Sequence, residues 1–433
     1  MKKSLYPPRF WPALIIFSLI GQVAWVVENM YFNVFVYKMF NASAEAISAM
    51  VAASSVAATL TTILIGALSD KVGRRKLFIC GGYIAWGVSI MSFAFIRADI
   101  LSLWFSAAAV ASAGVSIVIV MDCVMTFFGS AANDAAFNAW LTDSTDESGR
   151  GAAEGVNAMM PLMAILVVFG GFMAFDLDKS ESWTAIFLII GAVVLVIGVL
   201  GFFLIHEVPV KHPENEHYFR NIFYGFRPSV MKDNRQLYVT LLAFAIFGIS
   251  IQTYMPYLIL YYEVSLGMSD YVLIMAPAII LASVVTALYG RVYDRLGYQR
   301  SVLPALGMLA AGYIVLYLFR STVPVFIGSL LMMCGYLSGM AVFGAMIRDC
   351  TPKGKAGMFQ GLRIVGQVLI PGIIGPVIGS AVLKDAETLT NSDGTTSFIP
   401  NANIFLAALA VAVILLAVLL PQFGMIKKSQ QEK

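Results

Sequence analysis

The sequence predicts an all-α membrane protein of twelve transmembrane helices in two six-helix bundles. Three observations predict this class: an apolar composition, twelve apolar runs of membrane-spanning length, and an internal repeat. Of the 433 residues, 59% are hydrophobic and 12% are charged, whereas a soluble domain carries about 25% charged residues. A chain with so few charged residues cannot cover its folded surface with polar groups. Such an apolar surface is stable in the lipid of a membrane.

The apolar runs form two sets of six. A helix needs about 20 mostly apolar residues to cross a bilayer. The runs lie at 10–37, 45–69, 76–96, 113–141, 155–176, 183–205, 236–262, 268–290, 301–320, 324–348, 357–382 and 403–424. The longest polar connection divides the chain, so we expect a first bundle at 1–205, a cytoplasmic linker at 206–235 and a second bundle at 236–433.

The distribution of Lys and Arg predicts the orientation. With the N-terminus inside, the cytoplasmic segments hold 22 of the 28 basic residues, as the positive-inside rule requires. An even number of helices then places both termini in the cytoplasm. The first apolar run is too long for a signal peptide and no small-residue cleavage site follows it, so we expect it to be retained. The chain is therefore expected to be an integral, multi-pass protein, in the plasma (inner) membrane if it is bacterial.

Two sequence markers of the first half recur in the second. The segment GALSDKVGRRK, which begins at Gly66, returns in part as GRVYDRLGYQR at Gly290, 224 residues later. The tripeptide DST at 143–145 returns as DCT at 349–351, 206 residues later. The difference predicts about 18 extra residues between the markers of the first half. They fit 97–115, where we expect an extended outer excursion with a short Ala-rich helix, unless helix 4 simply begins earlier.

The segment GALSDKVGRRK resembles the signature loop of the major facilitator superfamily, G-x-L-x-D-x-x-G-R-[RK]. The weaker second copy and the two sets of six helices match as well, so the resemblance covers essentially the whole chain. It implies a two-bundle transporter that binds its solute between the halves and alternates its access.

The same resemblance implies a latch at the cytoplasmic side. Asp70 ends helix 2, Gly73 permits a tight turn, and Arg74 and Arg75 can clamp carboxylates, with Asp143 as a candidate partner. The alternative is that these basic residues only set the topology. The predicted gating residues are Gly66, Asp70, Gly73, Arg74, Arg75, Asp143, Asp294, Arg295, Arg300, Asp349 and Arg363. For Arg363, pairing with Asp349 or Asp70 is favoured over binding an anionic substrate.

Placing an acidic residue inside a membrane helix costs free energy, so each such residue is expected to have a function. Glu28 lies in helix 1, and Asp122 and Asp134 lie in helix 4. Trp25, Glu28 and Asn29 share one helix face, which offers an aromatic plate, a carboxylate and an amide to a sugar. Burial disfavours the charged form of a carboxyl group, so such a group could load and release a proton. The alternatives are structural hydrogen bonds and, for Asp122, a place at the membrane interface.

Helix 7 adds polar and aromatic candidates around Pro256, which should bend the helix; these aromatics could instead form an interfacial belt. The predicted substrate- or ion-binding residues are Trp25, Glu28, Asn29, Asn33, Asp122, Asp134, Asn138, Gln252, Tyr254, Tyr257 and Gln367.

The stretch from Asn133 to Gly151 is also similar to the helix 4 region of glycoside-pentoside-hexuronide:cation symporters. That group's cation site uses acidic residues of helix 2, and here helix 2 has no carboxylate before Asp70. The departure makes protons the expected coupling ion.

We therefore expect a secondary active transporter, moving a sugar or glycoside by alternating access with proton coupling. The alternative is a proton-driven exporter of multidrug or amphipathic compounds, and a third possibility is a membrane sensor or scaffold. The sequence contains no Walker loop and no HExxH or GxSxG motif, so no catalytic motif indicates an enzyme. No cofactor, metal site or nucleic-acid partner is expected; the partners are a small-molecule substrate, protons and membrane lipid, and the chain is expected to be a monomer.

Overall fold

The computed structural model describes residues 9–145, 150–207, 224–352, 356–391 and 394–431. In this part of the chain twelve helices are long and apolar enough to cross a membrane, which confirms the predicted fold class. The described strands are Thr388–Thr390 (β1) and Thr396–Phe398 (β2), which pair antiparallel between the last two helices. The cytoplasmic position of the termini stays a prediction.

The first six membrane helices follow the predicted runs closely. Helices 1 to 6 span Phe10–Phe40, Ala44–Val72, Arg75–Phe95, Ala107–Asp143, Gly155–Phe172 and Ser180–Leu204. Helix 5 extends back to Arg150, and a short helix, Ala98–Leu101, lies between helices 3 and 4.

The second six membrane helices include one pair that is nearly continuous. Helices 7 to 12 span Arg235–Ser265, Val272–Tyr289, Arg295–Leu318, Thr322–Cys350, Gly361–Val382 and Asn403–Phe423. Helices 8 and 9 form one helical run that is interrupted at Gly297, where φ is +74°. Helix 11 begins at Ala356, and helix 12 continues to Gln431. A 3₁₀ turn at Tyr224–Phe226 and a short helix at Pro228–Asp233 precede helix 7.

The chain divides into two compact units. The first takes in the described residues of Met1–Ala42 and Ala53–Phe219, and the second those of Ser43–Ala52 and Arg220–Lys433. In the first unit an aromatic cluster joins helices 1, 3 and 6, with Phe187 in ring contact with Phe32, Phe35 and Phe93. In the second, rings of helices 7, 9 and 12 meet at Phe405.

The predicted outer excursion is shorter than expected, and its helix is not Ala-rich. Residues 98–101 form the short helix, and an exposed turn leads to Ser106. The alanines from Ala107 onward belong to helix 4 itself, which therefore begins earlier than the sequence suggested. Alanine has the highest helix propensity of any residue, so it extends a helix that packing has already formed. Helix 4 reaches 37 residues, about 55 Å.

Candidate functional site

Four of the membrane helices contain a π-helical segment among their described residues, and three of these segments hold residues of the predicted site. A π turn widens the helix by one residue and is frequent at functional sites. The segments are Val27–Tyr31 in helix 1, Ser130–Phe137 in helix 4, Tyr261–Ser265 in helix 7 and Val365–Leu369 in helix 11. Glu28, Asp134 and Gln367 lie within three of them.

Glu28 and Asp122 lie in the interior of the first unit. The side chain of Glu28 is 6% exposed and that of Asp122 is 2% exposed. The hydroxyl of Thr126 donates to Glu28 Oε1 at 2.7 Å, which joins helix 1 to helix 4. Asp122 is hydrogen-bonded to Ser54 of helix 2, and its charge acts on Glu28. The alternative for Asp122 was a place at the membrane interface; its side chain is instead enclosed between helices 1, 2 and 4.

Each of these two carboxyl groups keeps one oxygen atom without a hydrogen-bond partner among the described residues, Oε2 of Glu28 and Oδ1 of Asp122. The same holds for Oδ1 of Asn33, whose side chain is 1% exposed and whose amide nitrogen donates to the carbonyl of Asn29. Buried polar atoms are almost always hydrogen-bonded, so unsatisfied acceptors in one region are a feature that needs a reason.

A second polar group lies next to two tryptophans. The amide nitrogen of Asn133 donates to the Tyr83 hydroxyl at 2.7 Å, and Tyr83 donates to the carbonyl of Phe17 at 2.7 Å. The indole N–H of Trp25 points at Asn133 Oδ1 at 3.4 Å. The rings of Trp25 and Trp86 lie 5.1 Å apart between centroids. The side chain of Trp25 is half-buried. The indole of Trp25 and the amide of Asn133 therefore lie side by side, with part of Trp25 accessible.

Asp134 is more accessible than the other two acidic residues. Its side chain is half-buried, and Ser130 donates to its Oδ2 at 3.0 Å. Asn138 is exposed and donates to the backbone carbonyl of Asp134, and Asn29 is exposed one turn from Trp25. The predicted residues of helices 1 and 4 thus separate into a buried pair, Glu28 with Asp122, and a more open set.

The predicted residues of helix 7 lie inside the second unit. Helix 7 is interrupted by a 3₁₀ turn at Met255–Tyr257, where the sequence predicts a bend at Pro256. Tyr257 is fully buried and donates to the carbonyls of Ala44 and Pro376. Tyr254 is also fully buried and packs edge-on against Tyr313. These two tyrosines therefore pack the unit rather than face open space, whereas Gln252 is half-buried.

A groove of about 570 Å³ runs between helices 2 and 4. Its walls are apolar apart from Thr61 and Cys123. Leu60 and Leu64 line one side, and Val120, Val124 and Phe127 line the other. Cys123, in the wall of the groove, follows Asp122 directly in sequence.

The Arg75 cluster, formed by Ser69, Asp70, Arg75 and Asp143, closes one end of the first unit. The guanidinium group of Arg75 contacts Asp70 Oδ1 through Nη2 and lies 3.1 Å from Asp143 Oδ2 through Nε. Its Nη1 donates to the hydroxyl of Ser69. The Arg75 side chain is only 4% exposed, so three oxygen atoms from the ends of helices 2 and 4 enclose it. Arginine suits this position because its planar fork can donate to several acceptors at once.

The turn between helices 2 and 3 gives Arg75 its position. Gly73 has φ = +69°, a left-handed conformation that glycine adopts without strain. Gly66 lies about two turns before Gly73, on helix 2, where an added Cβ would meet no atom closer than 4.0 Å. Arg74 is exposed, so the two adjacent arginines have different environments.

The second half carries a different version of this cluster. The position that corresponds to Arg75 is Gln299, whose amide nitrogen donates to the carbonyl of Phe423. Asp349, the counterpart of Asp143, accepts from the Tyr293 hydroxyl at 2.6 Å. Tyr293 lies between the membrane spans, and burial, with this hydrogen bond to Asp349, raises its pKa, so the donor stays protonated at neutral pH.

The remaining predicted gating residues are dispersed. Arg295 and Arg300 are exposed, and the side chain of Asp294 lies outside the described residues. Arg363 is exposed, and its Nε lies 3.3 Å from Gln367 Oε1. Gln367 lies one helical turn after Arg363 on helix 11, so this hydrogen bond lies within one helix.

Several residues of the site were outside the predicted set: Ser54, Tyr83, Trp86, Thr126, Asn133. Thr126 gave no local signal, because its partner Glu28 lies 98 positions away in the sequence. Tyr83 and Trp86 gave none, because an uncharged aromatic residue in a membrane helix is ordinary. Among the described residues, no group of three His, Cys, Asp or Glu side chains could hold a metal ion.

Twelve spans, acidic residues inside two of them and an ion-pair cluster at the ends of helices 2 and 4 define a polytopic membrane transporter rather than an enzyme. The chain belongs to the Major Facilitator Superfamily, whose family model matches residues 10–376. This confirms the family that the GALSDKVGRRK loop predicted. Among curated proteins, no relative matches the chain.

Three solved structures share the fold. A mutant of the nucleoside transporter NupG has a TM-score of 0.72 and 12% identity, covering 95% of this chain and 99% of that chain. A bacterial homologue of the human lysosomal transporter Spinster, inward-facing and occupied, has a TM-score of 0.68 and 16% identity, with 97% of each chain covered. The xylose transporter XylE from E. coli has a TM-score of 0.65 and 14% identity, covering 93% and 97%. At these identities the likeness shows the fold alone.

Proposed function

We propose that this transporter moves a sugar or glycoside by alternating access and couples its movement to protons. The observation that carries the proposal is the buried pair of Glu28 and Asp122, with Asp134 on the same helix in a more open position. Membrane-embedded acidic residues are retained where they serve transport, because inserting them is costly.

The coupling role belongs to Glu28 and Asp122. Both side chains are removed from water, and the charged groups that act on Glu28 are Asp122 and Asp134, which are acidic. Two like charges in a medium of low dielectric constant repel each other strongly, so a proton bound by the pair stabilises it. The unsatisfied oxygen atom on each carboxyl group offers a place for that proton. Loading and release of this proton would then accompany the change of access.

The solute role belongs to the more open set around Trp25. A sugar is recognised by an aromatic ring under its C–H face and by paired hydrogen bonds to its hydroxyl groups. Trp25 is half-buried, Asn29 is exposed beside it, and Asp134 and Asn138 are accessible on helix 4. NupG and XylE are described as nucleoside and xylose transporters, and both solutes contain a sugar ring.

The test is uptake of a panel of sugars and glycosides into proteoliposomes with an imposed pH gradient. We expect wild type to accumulate one of them in response to the gradient. Glu28→Gln and Asp122→Asn should abolish gradient-driven accumulation but keep exchange of solute across the membrane. Asp134→Asn should weaken solute binding, which raises KM.

Glu181→Gln is the matched control, because Glu181 is an exposed carboxylate at the start of helix 6. Its transport should equal that of wild type. Undiminished proton-driven accumulation in both Glu28→Gln and Asp122→Asn would remove the pair from coupling.

A second candidate, proton-driven export of an amphipathic compound, is favoured by the groove between helices 2 and 4. Its apolar walls suit a molecule with a large apolar body. Efflux of a lipophilic dye from loaded proteoliposomes, slowed by Val124→Trp in the groove and unaffected by sugars, would support this candidate over the first.

We further propose that the Arg75 cluster is the latch of the cytoplasmic side. It joins helices 2, 3 and 4 through one buried cation, so it stabilises a single arrangement of their ends. The hydrogen bond from Tyr293 to Asp349 is then a second latch in the other half, with a tyrosine hydroxyl as donor in place of an arginine.

A further inference from the structure

The end of helix 3 and the loop that follows it carry an exposed apolar tip, which we define as Phe95, Leu103, Trp104 and Phe105. Trp104 is 82% exposed and Leu103 78%, the highest values among the large hydrophobic side chains of the described residues. Phe95 is 64% exposed and Phe105 41%. In the second half only residues 319–321 connect the corresponding helices, so the tip belongs to the first half alone.

Helix 3 places this tip at the boundary of the bilayer. The helix spans 21 residues, from Arg75 to Phe95, which is about 31 Å at 1.5 Å per residue. The hydrocarbon core of a bilayer is about 30 Å thick. Since Arg75 lies in the polar cluster at one end, Phe95 lies where the hydrocarbon ends on the other side, and the tip begins there.

The backbone of the tip is hydrogen-bonded internally. The N–H of Leu103 donates to Ile100, and those of Trp104 and Phe105 both donate to the carbonyl of Leu101, at 2.9–3.2 Å. Leu101 itself is buried and attaches the turn to the protein. A segment can enter the lipid interface only if its polar backbone groups are satisfied, and this turn meets that condition.

The two charged residues of the loop, Arg97 and Asp99, pair with each other outside the tip. Arg97 donates to both carboxylate oxygens of Asp99, at 3.0 and 3.1 Å, and to the hydroxyl of Thr184 on helix 6 at 3.2 Å. These hydrogen bonds from Arg97 lower the pKa of Asp99, so the pair remains charged and intact at neutral pH. From Ile100 to Ile117 the sequence contains no charged residue.

From these observations we propose that the tip is a membrane anchor, inserted between the lipid headgroups of the leaflet opposite to the Arg75 cluster. Tryptophan and other amphipathic aromatic residues favour this interfacial layer, whereas an apolar tip of this exposure would be unstable in water. The anchor fixes the outer end of helix 3 and the start of helix 4 to the membrane surface. This inference is independent of which solute the protein moves.

The test is ¹⁹F NMR of the full chain labelled with 5-fluorotryptophan, in nanodiscs of phosphatidylcholine and phosphatidylglycerol. The six tryptophans give six signals, and Trp104→Phe and Trp104→Tyr each identify the signal of Trp104 by its loss. We expect lipid that carries a nitroxide near its headgroup to broaden this signal at least threefold more than a water-soluble gadolinium chelate does.

Trp183 is the internal control, because it lies in the first turn of helix 6, on the same side of the protein, but is only 1% exposed. Its indole N–H donates to the carbonyl of Leu177. Its signal should be little affected by either reagent. Broadening of the Trp104 signal by gadolinium alone would place the tip in water and overturn the proposal. Protection from both reagents would place the tip against protein, in a second copy or a partner, and would overturn it equally.

Discussion

At the scale of single residues, Arg75 and its neighbour Arg74 show how one turn separates two roles. Both were predicted as clamps, and they are adjacent in the loop. The left-handed turn at Gly73 directs Arg75 into a site lined by two carboxylates and a hydroxyl, and leaves Arg74 exposed. A buried cation that balances two acidic residues is costly to remove, since the carboxylates are then left to repel each other.

Arg75→Ala should therefore lower the stability of the protein by about 3–5 kcal/mol, as breaking a buried ion pair does. The stability of Arg75→Lys should lie between those of wild type and Arg75→Ala. An ammonium group keeps the positive charge but lacks the planar set of donors that reaches both carboxylates. Thermal unfolding in detergent, followed by a thiol-reactive dye, measures the difference. Arg74→Ala is the matched control and should change stability by no more than about 0.5 kcal/mol. Equal melting of the two alanine variants would show that the cluster does not stabilise the fold.

The acidic residues could be predicted from the sequence, but their grouping could not. The sequence shows three carboxylates in apolar runs. Because inserting a charged group into a membrane costs free energy, each of them is expected to have a function inside the protein. That Asp122 pairs with Glu28, while Asp134 remains half-open with Ser130, depends on how helices 1 and 4 cross. The interval of 98 residues between Glu28 and its donor Thr126 leaves no local pattern to read.

At the scale of elements, the π segments decide which way the polar residues of helices 1 and 4 face. A period of 3.6 residues predicts the face of a regular helix, and an extra residue in a turn shifts every later residue by about one position. The polar stretch from Ser130 to Phe137 is π-helical throughout, so a regular helical wheel misplaces Asn138 relative to Asp122. The spacing of Trp25, Glu28 and Asn29 is affected less, because the π segment of helix 1 begins only at Val27.

Gly129 offers a test of how closely helices 1, 3 and 4 pack behind the site. A Cβ added there would lie 2.7 Å from the Trp86 ring and 3.1 Å from the Trp25 ring. Gly129→Ala should force both indoles to move, which costs about 1–3 kcal/mol as overpacking does. We expect a lower melting temperature and altered Trp fluorescence.

Gly170→Ala provides the comparison for Gly129→Ala, since a Cβ at Gly170 in helix 5 meets nothing within 4 Å. It should leave stability unchanged or raise it by up to about 1 kcal/mol, because alanine is the better helix former. The prediction is contradicted if Gly129→Ala behaves like Gly170→Ala.

At the scale of the whole molecule, the duplication is visible in both sequence and structure, and its two copies have diverged at their polar clusters. The first half keeps a buried cation at Arg75. The second half has glutamine at the corresponding position and pairs Tyr293 with Asp349 instead. The copies also differ in the connection that carries the exposed tip, so a common fold supports two halves with different electrostatics.

The orientation of the chain is a prediction at this scale. With both termini inside, Arg74 faces the cytoplasm and Ser321, in the connection between helices 9 and 10, faces outward; both side chains are exposed. A membrane-impermeant maleimide applied to intact cells should label Ser321→Cys and leave Arg74→Cys unlabelled until the cells are opened. Wild type, with its own four cysteines, sets the background. The reverse labelling pattern would invert the topology.

The sequence by itself determined that the protein lies in a lipid membrane, how many times it crosses it, that its two halves are related, and to which family it belongs. These features depend on composition, on the length of apolar runs and on a short motif, all of which are properties of contiguous residues. Only the tertiary structure decided which acidic residues meet, that two of the predicted tyrosines are packing residues, and that Arg75 rather than Arg74 is enclosed. Those outcomes depend on contacts between helices tens of residues apart, and on π turns that change the direction of side chains without changing hydropathy.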